Sequence, residues 1–191
     1  MSEIIEKLIA LYGEEKAAYF YNQIEQRITD FTKMAGKKRN CELDERDIII
    51  ITYGDQFYGR GKAPLKNLGE FSRKYFKDMA SCIHILPFFP YSSDDGFSVI
   101  DYEKVREQLG NWEDIKDIGA DFKLMFDLVC NHISSNSEWF MNYLSGDEEY
   151  KEFFIEMDEN TDLSMVTRPR TSPLLTAFNT SQGTKYLWTT F

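Results

Sequence analysis

Two short segments hold the residues best suited to chemistry. The first is His84-Ile-Leu-Pro-Phe-Phe-Pro-Tyr-Ser-Ser-Asp-Asp-Gly-Phe-Ser-Val-Ile-Asp-Tyr102, and the second is Asp127-Leu-Val-Cys-Asn-His132. Asp94 and Asp95 lie in a short acidic turn. A carboxylate can accept hydrogen bonds from two hydroxyls, so such a turn suits a polyhydroxylated ligand. Gly96 lets the chain reverse, and Phe97 offers a ring face. By composition alone, Ser92 to Gly96 is equally an ordinary surface turn. His132 can both donate to and accept from a hydroxyl. Standing alone, it is more simply a loop histidine beside a helix start. A third segment, from Val166 to Phe178, carries Arg168-Pro169-Arg170. A guanidinium can hold phosphate or carboxylate through two parallel bonds. Taken alone, these are solvated arginines in a proline-punctuated loop.

The first two segments each begin as an apolar β-type run and end in polar, turn-forming residues. A barrel strand that delivers functional groups to its carboxyl end has this form. The surrounding pattern supplies the elements. Asp47-Ile-Ile-Ile-Ile-Thr-Tyr53 is an uninterrupted run, expected to be buried on both faces of a parallel sheet. A helix is expected over about 67–79, a strand over 82–86, a helix over 112–118 closed by Gly119, and a strand over 122–129. This β-α-β-α-β order implies parallel strands joined by right-handed crossovers. Before it, residues 1 to about 36 read as two helices broken at Gly13, an N-terminal extension packed on the α/β part. After it, helical signals run over 138–144 and 148–156, followed by a polar, irregular stretch to the end.

Three strands cannot close a barrel, and an eight-stranded (β/α) barrel takes about 250 residues. The expected fold class is therefore α/β, an incomplete (β/α)8 TIM barrel limited to its first three strands. The expected division is a helical extension over 1–40, barrel over 41–135 and a further domain portion over 136–191.

The composition is globular: 42% hydrophobic and 15% aromatic, with a net charge of -10 over 191 residues. That charge argues against nucleic acid or an anionic membrane as partner, since both require clustered Lys and Arg. It argues little against a phosphate-using enzyme, because one or two arginines suffice for one anion. Cys41, Cys82 and Cys130 share no metal-ligand spacing and are too few and odd for a disulfide framework. Cys82 and Cys130 read as small core residues. There is no basic leader and no apolar run near the ~18 residues of a membrane span, so a reduced, cytoplasmic setting is expected.

Together the two segments resemble glycoside hydrolase family 13, the α-amylase superfamily. Within it they resemble the sucrose phosphorylase and glucosylglycerate phosphorylase branch, through Leu86-Pro-Phe-Phe89 and Gly96-Phe97. The resemblance covers Asp47 to Phe191, and it implies that residues from 136 begin the family's domain B. It implies that Asp94 binds the far hydroxyls of a glucosyl unit, Phe97 lies against the sugar, and His132 contacts its 6-hydroxyl. Asp127, Asn131 and Tyr102 become structural supports of the strand ends. Tyr102 stands where sucrose phosphorylases often carry His. Pro169 and Arg170 would reach over the acceptor site, and Phe191 would stack on the glucose. The segment Arg168-Pro-Arg-Thr-Ser-Pro-Leu-Leu-Thr176 is closer to relatives acting on glucosylglycerate or phosphorylated sucrose.

The family's nucleophile sits in a Gly-x-Arg-x-Asp motif at the fourth strand, and its acid/base Glu at the fifth. No Gly-x-Arg-x-Asp occurs here, so no catalytic residue is assigned in this chain. The expectation is the N-terminal part of a retaining glucoside phosphorylase, inactive without the remaining barrel half. Its ligands would be a small-molecule glucoside and inorganic phosphate as co-substrate, with no cofactor and no metal. The rival expectations are part of a family 13 hydrolase or transglucosidase, or a non-catalytic sugar-binding chain.

Overall fold

The computed structural model describes residues 2–35, 45, 47–167 and 171–190. The chain divides into two units, Met1–Asp44 and Glu45–Phe191.

In the first unit a single hydrogen-bonded run, α1 (Ser2–Ala35), is kinked at Gly13, whose φ of 77° and ψ of 164° are not helical. A left-handed φ suits glycine, so the expected break falls where the expected residue permits it. Tyr12 and Phe20 meet across the kink with ring centres 4.8 Å apart. The buried and half-buried positions Ala17, Phe20 and Ile24 recur at helical spacing. Tyr19, Ile28 and Phe31 of the same helix are exposed.

The second unit begins with a parallel sheet of β1 (Ile49–Thr52), β2 (Cys82–Ile85) and β3 (Lys123–Phe126), in that order. The register pairs Ile49, Cys82 and Lys123 across the sheet. Side chains alternate between faces, so Thr52, Ile83, Ile85 and Leu124 fall on one face with Ile50 and Phe126. That face carries α2 (Pro64–Tyr75) and α3 (Trp112–Gly119). The shared core joins Leu65, Leu68, Ile83, Ile85, Ile115 and Ile118.

Helix α2 starts three residues before the expected 67 because Pro64 occupies its first turn, where a fixed φ and a missing N–H cost nothing. It stops at Tyr75 rather than 79, since Met79 and Ala80 bond back to the Phe76 carbonyl as a turn. Asn111 starts α3 with a reciprocal cap: its side chain accepts from Glu113 and Asp114 N–H, and Asp114 accepts from Asn111 N–H. Arg73 of α2 pairs with Asp117 of α3 and with Asp121 just beyond that helix, and Lys77 reaches Asp121 at 2.9 Å.

The opposite sheet face, with Ile49, Ile51, His84 and Met125, corrects one expectation. The β1 run was expected to be buried on both faces, yet Ile51 is 63% exposed. Within this unit, α2 and α3 both pack on the one face. Cys130, expected in the core, is exposed, because the chain has already left the sheet there, whereas Cys82 is buried.

Beyond the sheet, Ser137 caps α4 (Glu138–Ser145), which ends at Gly146 with φ 88°. The helix expected over 148–156 is only a 3₁₀ turn, Glu148–Tyr150. The stretch read as irregular contains a second sheet, antiparallel, of β4 (Glu156–Met157), β5 (Leu175–Thr180) and β6 (Gly183–Trp188) in the order β4-β6-β5. Its core is Phe140, Tyr143 and Leu187, with Phe154 and Phe178 packed edge-on against Phe140.

Candidate functional site

Parallel strands end at one side, so the segments that follow β2 and β3 emerge next to each other. After β2, Pro87 and Phe88 are buried, and the chain forms a narrow loop. Ile100 N–H donates to Pro90 O at 2.7 Å, and Ser92 N–H to Ser98 O at 3.0 Å. The tip is a 3₁₀ turn, Asp94–Gly96, in which Asp94, Asp95 and Gly96 all have positive φ, of 57°, 49° and 106°. Two successive non-glycine residues in the left-handed region are costly. Gly96 is required on two counts: its φ, and a Pro87 carbonyl oxygen only 2.9 Å from where a Cβ would lie.

After β3 the chain passes through half-buried Asp127, buried Val129 and exposed Cys130 and Asn131 to half-buried His132. The two loops are stitched together. His132 Nε2 lies 3.0 Å from the Phe97 carbonyl oxygen. A carbonyl can only accept, so Nε2 carries the proton and donates. The Tyr102 hydroxyl reaches Val129 O at 2.6 Å and His132 O at 3.0 Å. Ser134 N–H donates to Val99 O at 2.8 Å, and Ser92 Oγ lies 2.6 Å from Ser134 Oγ. The Tyr102 ring packs on Phe89 and Trp139. Burial pushes its phenol above the usual tyrosine range. Beside it, Lys104 holds the Asp101 carboxyl below the usual range through a hydrogen bond. On the sheet face opposite α2 and α3, His84 Nε2 donates to Asp127 Oδ2 at 2.9 Å.

The structure therefore brings Phe97, Tyr102 and His132 into one hydrogen-bonded cluster at the carboxyl ends of β2 and β3. Asp94 stands at the tip of the same loop, and Asp127 at the root of the other. Asn131 is exposed, and its side chain makes no hydrogen bond among the described residues. His132 Nε2 already serves the Phe97 carbonyl, so a sugar hydroxyl at that atom would have to share or replace this bond. Pro169, Arg170 and Phe191 lie outside the described residues. Among the described residues no group of three or more His, Cys, Asp or Glu is arranged to hold a metal ion. No helix among them is long and apolar enough to cross a membrane.

Sequence reasoning did not single out two features of this end of the sheet. One is His84, whose signal was a lone polar residue inside an apolar strand. The other is a cleft lined by Tyr53, Asp55, Tyr91, Asp95 and Arg106. Its residues come from three separate segments, and no single segment announced it.

Fold and loops together define a parallel strand–helix layer that presents polar groups at the carboxyl ends of its strands, the working end of (β/α) barrels. Comparison with known proteins identifies the family. Residues 72–189 match the Alpha-amylase family, described as alpha amylase, catalytic domain. The chain belongs to that family.

It is 54% identical over 149 residues to a glucosylglycerate phosphorylase of Spirochaeta thermophila, covering 78% of this chain and 25% of the relative. It is 43% identical over 190 residues to that of Escherichia coli, covering 99% of this chain and 34% of the relative. A sucrose phosphorylase of Streptococcus mutans is 36% identical, covering 75% of this chain and 31% of the relative. In structure the chain is similar to sucrose 6F-phosphate phosphorylase from Thermoanaerobacter thermosaccharolyticum. The TM-score is 0.68 at 31% identity, covering 79% of this chain and 32% of the other. The chain thus spans a quarter to a third of the length of these relatives, and it matches the N-terminal part of their barrel fold.

Proposed function

We propose that this chain forms the N-terminal part of a retaining glucoside phosphorylase, with glucosylglycerate favoured over sucrose as the glucoside. The observation that carries this reading is the extent of likeness. The Escherichia coli glucosylglycerate phosphorylase matches over 99% of the chain, N-terminal helix included, whereas the Streptococcus mutans sucrose phosphorylase matches over 75%.

In the proposed reaction an enzyme carboxylate displaces the acceptor from the anomeric carbon, and a second carboxyl group protonates the departing oxygen. Phosphate then attacks the β-glucosyl–enzyme, releases the carboxylate and gives α-glucose 1-phosphate. This chain would supply neither carboxylate. Its part would be binding: Asp94 and His132 at the glucose hydroxyls, Phe97 and Phe191 at the ring, and Pro169 and Arg170 at the acceptor or phosphate. Residues 1–40 would be an extension, 41–135 the start of the barrel and 136–191 the start of domain B. No cofactor or metal is required, and the setting is cytoplasmic.

A chimera tests the proposal. This chain replaces the matching segment of the Escherichia coli glucosylglycerate phosphorylase, and products are measured with and without phosphate. Phosphate-dependent release of glucose 1-phosphate from glucosylglycerate, exceeding that from sucrose, is expected. A folded chimera releasing free glucose at the same rate without phosphate would refute it.

A further inference from the structure

We infer that the cleft at the carboxyl ends of β1 and β2 is a second binding site, for a small neutral polyol or sugar, distinct from the Asp94–Phe97–His132 cluster. The cleft has a volume of about 340 Å³, at the small end of ordinary small-molecule sites. Its walls are Tyr53 and Asp55 after β1, Tyr91 and Asp95 in the loop after β2, and Arg106 beyond that loop. Neither Asp94 nor His132 lines it.

Arg106 is held ready. Its guanidinium stands over the Tyr91 ring, 4.8 Å from the centroid, donates to the Tyr91 hydroxyl at 3.1 Å and to Gln108 Oε1 at 3.2 Å. Its backbone N–H is fixed to Phe88 O at 2.8 Å. Neither side-chain acceptor is a carboxylate, and guanidinium has further N–H donors to offer. Asp95 is placed by the three successive positive-φ residues of the Asp94–Gly96 turn, which folds back onto Pro87.

The chemistry of the walls selects the ligand class. Two acidic residues and one arginine line the cleft, so it carries net negative charge and disfavours phosphate or a carboxylic acid. The guanidinium disfavours a bare cation. Hydroxyls suit both: they donate to Asp55 and Asp95 and accept from Arg106, while the tyrosine rings cover C–H faces. The inference stands on this geometry and does not depend on the phosphorylase reading.

The test is a titration of the isotope-labelled chain with D-glucose, glycerol and, separately, inorganic phosphate, followed by NMR. Saturable shifts of the Gly54 and Asp55 amides and of the Arg106 Nε–H with glucose or glycerol are expected, with little response to phosphate. Arg106→Gln should weaken binding about ten-fold, the scale of one bond to a charged group. Arg106→Lys, which keeps the charge but loses the planar fork, should weaken it less and serves if the first variant does not fold. Shifts centred on the His132 ring, stronger binding of phosphate, or no response to either polyol would overturn the proposal.

Discussion

Replacing Tyr102 with Phe removes one oxygen and little else, so its effect isolates the stitch between the two loops. The hydroxyl lies 2.6 Å from Val129 O and 3.0 Å from His132 O, and its single proton serves chiefly the shorter contact. The ring contacts with Phe89 and Trp139 survive in Phe, so no cavity opens. The loss is a part-buried hydrogen bond whose carbonyl acceptor is left without it, about 1–2 kcal/mol. That corresponds to a roughly 5–30-fold shift in an opening equilibrium. If the bond mainly holds the second loop, the shift should appear locally. Amide exchange should accelerate for residues 129–134 and stay unchanged in β1 and β2.

A second readout follows from the phenol. Burial raises its pKa in the folded state. Its contribution to stability is therefore complete below the unfolded value near pH 10 and is lost as pH rises through the folded value. Tyr102→Phe should make the alkaline fall in stability shallower. Urea midpoints measured from neutral pH to above pH 10 would show it. Unchanged exchange in 129–134, or acceleration spread evenly over the sheet, would refute the assigned role.

Gly96→Ala should cost on the order of 1–3 kcal/mol in urea unfolding from its left-handed backbone, before the close approach to Pro87 O is counted; no loss would mean the turn has an easy alternative. Lys77 and then Arg73 hold the Asp121 carboxyl below the usual range, so its stabilisation is present above the unfolded value near 3.9 and is lost as pH falls through the folded one. Asp121→Asn should therefore lower stability at neutral pH and flatten the acid limb of the stability–pH curve. In the chimera, Arg170→Ala should weaken the phosphate step by about 1.5–3 kcal/mol and cleavage of an activated glucoside by less; equal losses would make Arg170 structural. A polypeptide of these 191 residues, which contains no Gly-x-Arg-x-Asp, should release no glucose 1-phosphate on its own, and any phosphate-dependent release by the purified chain would overturn that.

The parallel sheet was legible because its determinants are local. Ile48 to Thr52, Cys82 to Leu86 and Phe122 to Val129 are apolar runs at the lengths strands use, separated by helices with apolar residues at helical spacing. The faces of β1 were not legible, because an all-apolar run carries no alternation to say which side the helices cover. The second sheet was missed for the opposite reason. Leu175-Thr-Ala-Phe-Asn-Thr180 and Gly183-Thr-Lys-Tyr-Leu-Trp188 are half polar, as expected of strands with an exposed face. Ser181-Gln182 is not one of the common two-residue hairpin turns. The only strong cue was Gly183, with φ 111°.

The candidate site divides along the same line. Asp94 and His132, whose side chains can bond a hydroxyl, and Phe97, which offers a ring face, were named from the sequence, but only the family resemblance set them apart from an ordinary turn and a loop histidine. What holds them together did not, because the partners are backbone carbonyls: Phe97 O for His132, and Val129 O and His132 O for Tyr102. A carbonyl is present at every residue and leaves no mark on the residue type. Tyr102 was placed among the structural supports through a family resemblance, and only the folded chain shows which atoms it supports. The same holds for His84, whose partner Asp127 is 43 residues away and meets it only because parallel pairing sets His84 beside Met125, two residues before that carboxylate. Strand register thus decides which polar groups can meet at the barrel mouth, and the loops fix their orientation through main-chain acceptors. A substitution that shifts either loop backbone should therefore disturb the site more than many substitutions of its visible side chains.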